Sequence, residues 1–498
     1  MKSIVWMFVS GMVLTLLGVG GALASRLPIS EDTKRCLECH RSLHPGIVED
    51  WQKSRMAWTT PKAAKSMIAL KRRVSFDNIP ERLRDVSVGC AECHTLNPGG
   101  HPDTVDHNGH RIHIVVTPED CAVCHPQERR QYGKNIMSHA YGNLKHNTIY
   151  ADLVMQVNGV HTFNDGTITV GEPDPETLAN SCFYCHGTVV EVTGKETRDT
   201  VEGPLTFPVL SGWPNQGVGR INPDGSKGSC SACHTRHQFA IQMARKPATC
   251  SECHKGPDVP GYKVYEVSKH GNIYASLGEE KTWDFKAVPW TVGEDFSAPT
   301  CAVCHVSLVV SGDGEVVAER THRMNDRLGW RIMGLIYAHP QPKSPDTTGI
   351  RNAAGLPLPT ELTGEPVRAF LIDEKEQKKR QQTMQAVCLA CHSAPWVKGQ
   401  YALFESAIDT TNKMTLAATQ ILLSAWEQGA AKGMAQGDSI FNEAIEKAWV
   451  EQWLFYANTT RYAAAMIGAD YGAFANGRWQ MSKNIQEMMD RLSFTLKE

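Results

Sequence analysis

At 498 residues the chain exceeds what one compact core usually supports, so two or three structural regions are expected. A hydrophobic content of 41%, a charged content of 21% and a net charge of −2 exclude a disordered chain, and they exclude a nucleic-acid binder that relies on a basic surface. In chain order the first signal is Lys2 before an apolar run from Ile4 to Leu17, then the small-x-small step Ala22-Leu23-Ala24 before Ser25. That is the anatomy of a secretory signal peptide over residues 1–24, and it predicts export to the periplasm or an equivalent compartment. The alternative is an uncleaved N-terminal membrane anchor, because the apolar stretch reaches Ala24.

Sixteen cysteines follow, and every one belongs to a pair two residues apart with histidine directly after it. The eight copies are CLECH at 36–40, CAECH at 90–94, CAVCH at 121–125, CFYCH at 182–186, CSACH at 230–234, CSECH at 250–254, CAVCH at 301–305 and CLACH at 388–392. Zinc knuckles, redox dithiols and disulfide frameworks have no need of that histidine. Chance would place it after all eight pairs with a probability of roughly 10⁻¹¹. The spacing suits c-type haem, in which two thiols add across the porphyrin vinyl groups and the following imidazole reaches the iron. Eight covalent haems are therefore expected. Their attachment residues are Cys36 and Cys39, Cys90 and Cys93, Cys121 and Cys124, Cys182 and Cys185, Cys230 and Cys233, Cys250 and Cys253, Cys301 and Cys304, and Cys388 and Cys391. The proximal iron ligands are His40, His94, His125, His186, His234, His254, His305 and His392.

Between motifs the chain is rich in turn formers, as in NPGGHPD at 97–103 and HPQPKSPDTTG at 339–349, which predicts loops packed on haems over residues 25–395. Residues 396–498 read differently. Leu403, Phe404, Ala407, Ile408, Met414, Ala417, Ile421, Leu422 and Trp426 recur at three- and four-residue steps and predict a long amphipathic helix over 400–430. A second runs from Ile440 to Trp453 and a third over 476–493, with helix packing as the role of their aromatic and methionine stripe. The expected class is mainly α: a multihaem cytochrome c of short helices and haem-packed loops, followed by a long-helix C-terminal region.

Twelve histidines remain for the distal faces of the irons: a haem with two imidazoles only passes electrons, whereas an open face binds substrate. His113, His139, His237, His270 and His322 are the distal candidates carried forward, with Met56, Met137 and Met324 as weaker ones.

The motif series with its helical tail, together with GVGRINPDGSKGSCSACHTRH at 217–237, CSECHKGPD at 250–258 and VTPEDCAVCH at 116–125, resembles the octahaem hydroxylamine oxidoreductase family, relatives of the ammonia-forming cytochrome c nitrite reductases. The resemblance implies a mainly helical subunit, often a trimer, in which the fourth haem is catalytic; here that haem would hang on Cys182, Cys185 and His186. It also implies redox chemistry on nitrite or hydroxylamine. Two departures matter. Family members often place an Asp-His pair after the sixth motif, but Asp258 is followed by Val259. Hydroxylamine-oxidising members link a C-terminal tyrosine to the active haem; Tyr471 is the nearest candidate here, with Tyr462 and Tyr456 behind it.

The reading is an exported enzyme that reduces nitrite or hydroxylamine towards ammonium, with Asp258 in the proton relay and Tyr471 as the tyrosine candidate. Hydroxylamine oxidation, a purely electron-transferring cytochrome and reduction of sulfur oxyanions are the alternatives. Arg220 is read as a structural partner of the Asp224 loop or as an attractor of anionic substrate. The expected partners are a small soluble cytochrome or a membrane-bound, quinol-linked cytochrome, with no nucleic acid. Each ferric haem with its propionates adds roughly one negative charge, so docking should weaken with salt.

Overall fold

The computed structural model describes residues 27–278 and 282–496; the expected signal peptide at 1–24 lies outside them. Helix accounts for 48% of the structure and strand for 12%, the strands forming only small sheets, so the expectation of a mainly α protein holds. No described helix is long and apolar enough to cross a membrane.

Each motif occupies a single helical turn or the end of a longer helix. Cys90–His94, Cys182–His186 and Cys301–His305 are five-residue helices, whereas the first motif lies within Glu31–Leu43 and the eighth begins inside Glu374–Leu389. Helical geometry puts residues three and four apart on one face, so both thiols and the histidine of a motif project together. Local caps aim these turns. Asp120 accepts hydrogen bonds from the Thr117 backbone N–H and hydroxyl directly before Cys121. Glu92 accepts from Gly89 N–H at 2.9 Å and from the Thr33 hydroxyl at 2.7 Å, which fastens the first two motifs to each other. Gly89 must lack a side chain there, since a Cβ would lie 2.6 Å from the Thr33 methyl.

The tail helices appear with shifted ends. The first runs from Ala394 to Glu427, starting six residues earlier than expected because Pro395 fits the first turn of a helix. The second begins at Ala444 rather than Ile440 and passes through a π-helical segment, Glu451–Ala457, into Asn458–Met466. The third spans Arg478–Thr495. Their core holds Trp449, Trp453, Leu422 and Met488, and it recruits Ile149, Leu335, Ile336, Tyr337 and Leu358 from upstream of the tail. The tail is thus bonded into the body through a shared core.

The sequence does not announce the hairpins, of which two matter most here. His161–Asn164 pairs with Thr167–Val170, and Glu191–Thr200 pairs with Gly203–Ser211 in a long, largely exposed ribbon. The second starts just after the fourth motif and reaches the first, where the Glu202 carboxylate lies 3.7 Å from Cys39 Sγ and the Phe207 ring lies 6.2 Å from that of His107.

Candidate functional site

Apart from Cys90, the cysteines of motifs two to eight face one branched, mostly apolar cavity of about 2750 Å³. All sixteen cysteines are free of disulfides. Thiols of different motifs meet inside it in a definite order. Cys121 contacts Cys230, Cys185 contacts Cys253 and Cys250 contacts Cys301, while Cys36 neighbours Cys90, Cys93 neighbours Cys124, Cys233 neighbours Cys250 and Cys304 neighbours Cys388. The motifs therefore line up as one, two, three, five, six, seven and eight, with the fourth attached as a branch at the sixth.

The histidine rings are arranged for a metal between them. Two imidazoles bound to one iron through nitrogens about 2 Å away hold their ring centroids about 6 Å apart. The centroids of His40 and His107 are 6.1 Å apart, those of His94 and His237 6.5 Å, those of His234 and His322 6.4 Å, and those of His270 and His392 6.1 Å. Burial also keeps the rings neutral, as ligation requires, lowering His234 and His237 to about 4 and His322 to about 3. His107 was not among the distal candidates; nothing in its local sequence marks it.

His113 also lies 6.0 Å from His94, but its backbone carbonyl accepts from His94 Nδ1 at 2.8 Å. That carbonyl holds the His94 ring through Nδ1 and leaves its Nε2 for ligation, with His237 as the candidate on the other face. The Ala140 carbonyl accepts in the same way from His186 Nδ1 at 3.2 Å. His113 Nε2 and His139 Nδ1 are buried without partners, the state of a nitrogen free to ligate elsewhere. His101 is different. It stacks on His113 at 3.7 Å with Nε2 3.2 Å from Asp120 and Nδ1 3.4 Å from Asp103. Burial alone would lower its pKa, but the two carboxylates outweigh burial and raise it to about 9. Met324 Sδ is occupied by the Asn135 amide at 2.7 Å. This cavity of apolar walls, paired thiols and facing neutral imidazoles fits haem.

Among the described residues no histidine ring faces His125, His186, His254 or His305 at this separation, and what distinguishes His186 is the polar wall before it. Asp258 and Arg331 both act on the His186 ring, and Tyr150 and Tyr462 stand beside them on the same cavity wall. Burial raises both phenols, Tyr462 to about 12, so they stay protonated and can donate. The Arg331 guanidinium lies against the Tyr150 hydroxyl, and the Tyr462 hydroxyl donates to Met333 Sδ at 3.2 Å.

The remaining expectations fall elsewhere. Tyr471 sits in the turn Tyr471–Ala475 beside Lys263 and does not line the cavity. Arg220 is spent on Asn222 at 2.7 Å and the Asn215 carbonyl at 2.8 Å, away from the cavity wall. Arg331, Tyr150 and Tyr462 bring to the site what no motif announced.

A family model for multihaem cytochromes with seven CxxCH repeats matches residues 222–327. A solved structure described as a hypothetical multiheme protein is 43% identical over 94% of this chain and 96% of its own, with a TM-score of 0.87. A Kuenenia stuttgartiensis protein described as a probable nitrite reductase-hydroxylamine oxidoreductase fusion is 25% identical over 378 residues, covering 72% of this chain. The chain spans about a third of that relative's length, 34%. The chain belongs to the multihaem c-type cytochromes. A reducing HAO-like protein complex from the same organism shares this cytochrome's fold at 18% identity, with a TM-score of 0.61 over 94% of the chain. This cytochrome accordingly binds c-type haem through CxxCH motifs, and its chemistry is iron redox and electron transport.

Proposed function

We propose that the protein is an exported octahaem reductase that converts nitrite or hydroxylamine towards ammonium at the haem held by Cys182, Cys185 and His186. The observation that carries this reading is the convergence of Asp258, Arg331, Tyr150 and Tyr462 before a proximal histidine that lacks a facing imidazole. When bound, the haem supplies an iron that accepts and delivers electrons to a coordinated nitrogen compound. The chain's own residues do the rest. Arg331 offers a cation to an anionic oxygen, held by the Tyr150 hydroxyl against it. Tyr462 donates a hydrogen bond from an un-ionised phenol, and Asp258 moves protons to the departing oxygen. The closed apolar walls strengthen each of these interactions by excluding water.

The other seven motifs would hold their haems in the order of the thiol contacts, between the site and a soluble or quinol-linked cytochrome partner, and those haems would supply the electron path. Reduction is preferred over oxidation because a cation faces the site and Tyr471 stays out of the cavity.

Three measurements test the reading. The mature protein should carry eight haem masses. Its ferric spectrum should contain one high-spin haem, and a reduced dye should drive nitrite reduction. A wholly low-spin spectrum without turnover would make the molecule an electron carrier only. Asp258→Asn should lower turnover by roughly 10²-fold with haem content unchanged; unaltered turnover would remove Asp258 from the proton relay.

A further inference from the structure

We infer that Arg461 is the positioning residue of the substrate wall, holding Arg331, Asp258 and Tyr462 at the spacing that an anionic substrate needs. The inference rests on the nitrite-reducing reading above. Arg461 is fully buried on the helix Asn458–Met466, directly after the π-helical segment of the tail. Its guanidinium donates from Nε to Thr411 Oγ1 at 3.0 Å, from Nη1 to the Ile332 carbonyl at 3.0 Å and to Asn458 Oδ1 at 3.4 Å, and from Nη2 to Asn412 Oδ1 at 2.7 Å. Every one of these acceptors is neutral.

Three of the four acceptors lead to the wall. Ile332 directly follows Arg331. Asn458 donates to the Asp258 carbonyl at 3.0 Å. Asn412 bonds the Ala338 N–H and carbonyl, both at 3.0 Å, and so secures the far end of the segment that begins at Arg331. Tyr462 is the next residue along the helix. One side chain thus bonds the Arg331 stretch directly and the Asp258 stretch through Asn458, from the helix that carries Tyr462.

A buried cation without an anion is expensive, and burial lowers its pKa to about 9. An apolar side chain of similar volume would fill the space without that desolvation. What the guanidinium adds is direction, through N–H donors fixed in one plane that reach three segments together. Lysine carries the charge but cannot span them.

The test compares Arg461→Lys and Arg461→Met in the full haem-loaded protein, with nitrite and a reduced dye. Both variants should keep their haems, while KM for nitrite rises about tenfold or more and kcat falls less. Methionine should keep the thermal midpoint at least as well as lysine, and neither should restore KM. The nitrite-induced shift of the ferric spectrum should need correspondingly more nitrite. If both variants misfold, Asn458→Ser removes the Asp258 link and the longest of the Arg461 contacts, leaves the other three in place, and should raise KM by a smaller factor. Variants with KM and spectral titration within twofold of the parent overturn the inference and leave the reductase reading intact. A parent protein that neither binds nor reduces nitrite overturns both.

Discussion

The haem-dense body and the C-terminal tail solve the same folding problem with different materials. In the tail, tryptophans and leucines interlock across helices, with Trp449, Trp453, Leu422 and Met488 almost wholly removed from solvent. In the body, apolar side chains gather only into separate clusters, such as Leu37, Val48 and Trp51 beside the first motif and Leu144, Val154 and Phe183 beside the fourth. Between these clusters runs the cavity lined by motif cysteines. The body has one larger side-chain cluster, around Trp290 and Phe296, but the cavity between its clusters suits porphyrin, so with haem as its filling the body's stability would depend on covalent maturation more than the tail's does.

The strongest way to break this contrast is to deny the body its haem. Chain produced without haem attachment should lose hydrogen-exchange protection throughout the body, while Ala394–Glu427 and Arg478–Thr495 keep the greater share of theirs. Equal loss in both regions would show that the tail has no core of its own. A second test works from the other side. Trp449 is fully buried and donates to Thr419 Oγ1 at 2.9 Å, so Trp449→Ala should cost about 3–5 kcal/mol in denaturant unfolding of the tail, with the haem spectrum unchanged in native buffer. A haem spectrum that shifts before the tail unfolds would show the two regions to be one cooperative unit.

The smallest effect sharpens the comparison by pH. Burial raises the Glu446 carboxyl to about 8, although it accepts from Trp426 Nε1 at 2.9 Å. Its ordinary value is 4.5, so the folded tail holds a proton that the unfolded chain releases between pH 4.5 and about 8. Tail stability should therefore be greatest below 4.5, fall steadily as pH rises towards 8, and level off above it. Glu446→Gln should flatten that slope, and a slope that survives the substitution would assign it to another group.

What was legible in the sequence follows the range of the interaction. The motifs are contiguous and their chemistry is local, so all eight could be read as attachment turns. The tail helices declared themselves through their period, but their ends did not, because caps and the π-helical segment at Glu451–Ala457 depend on neighbours. The ring pairs His40 with His107 and His94 with His237 join residues far apart in the chain, and only the folded backbone shows which imidazoles face each other. Arg331 and Tyr150 were silent for the same reason: each is one polar residue in an unremarkable stretch, and their meaning comes from meeting at His186. The exposed ribbon Glu191–Ser211 escaped because solvent on both faces erases the alternation that reveals a half-buried strand.

The side attachment of the fourth motif, through Cys185 and Cys253, has a consequence for timing. A reaction that consumes several electrons at one iron stalls if each must be fetched singly from a diffusing donor. Under the proposed reading, a haem held by the fourth motif off the main line would let the haems of the other motifs charge as a local store while it idles and then discharge into it in quick succession. Supply and consumption would be uncoupled, and partially reduced intermediates would have little time to escape.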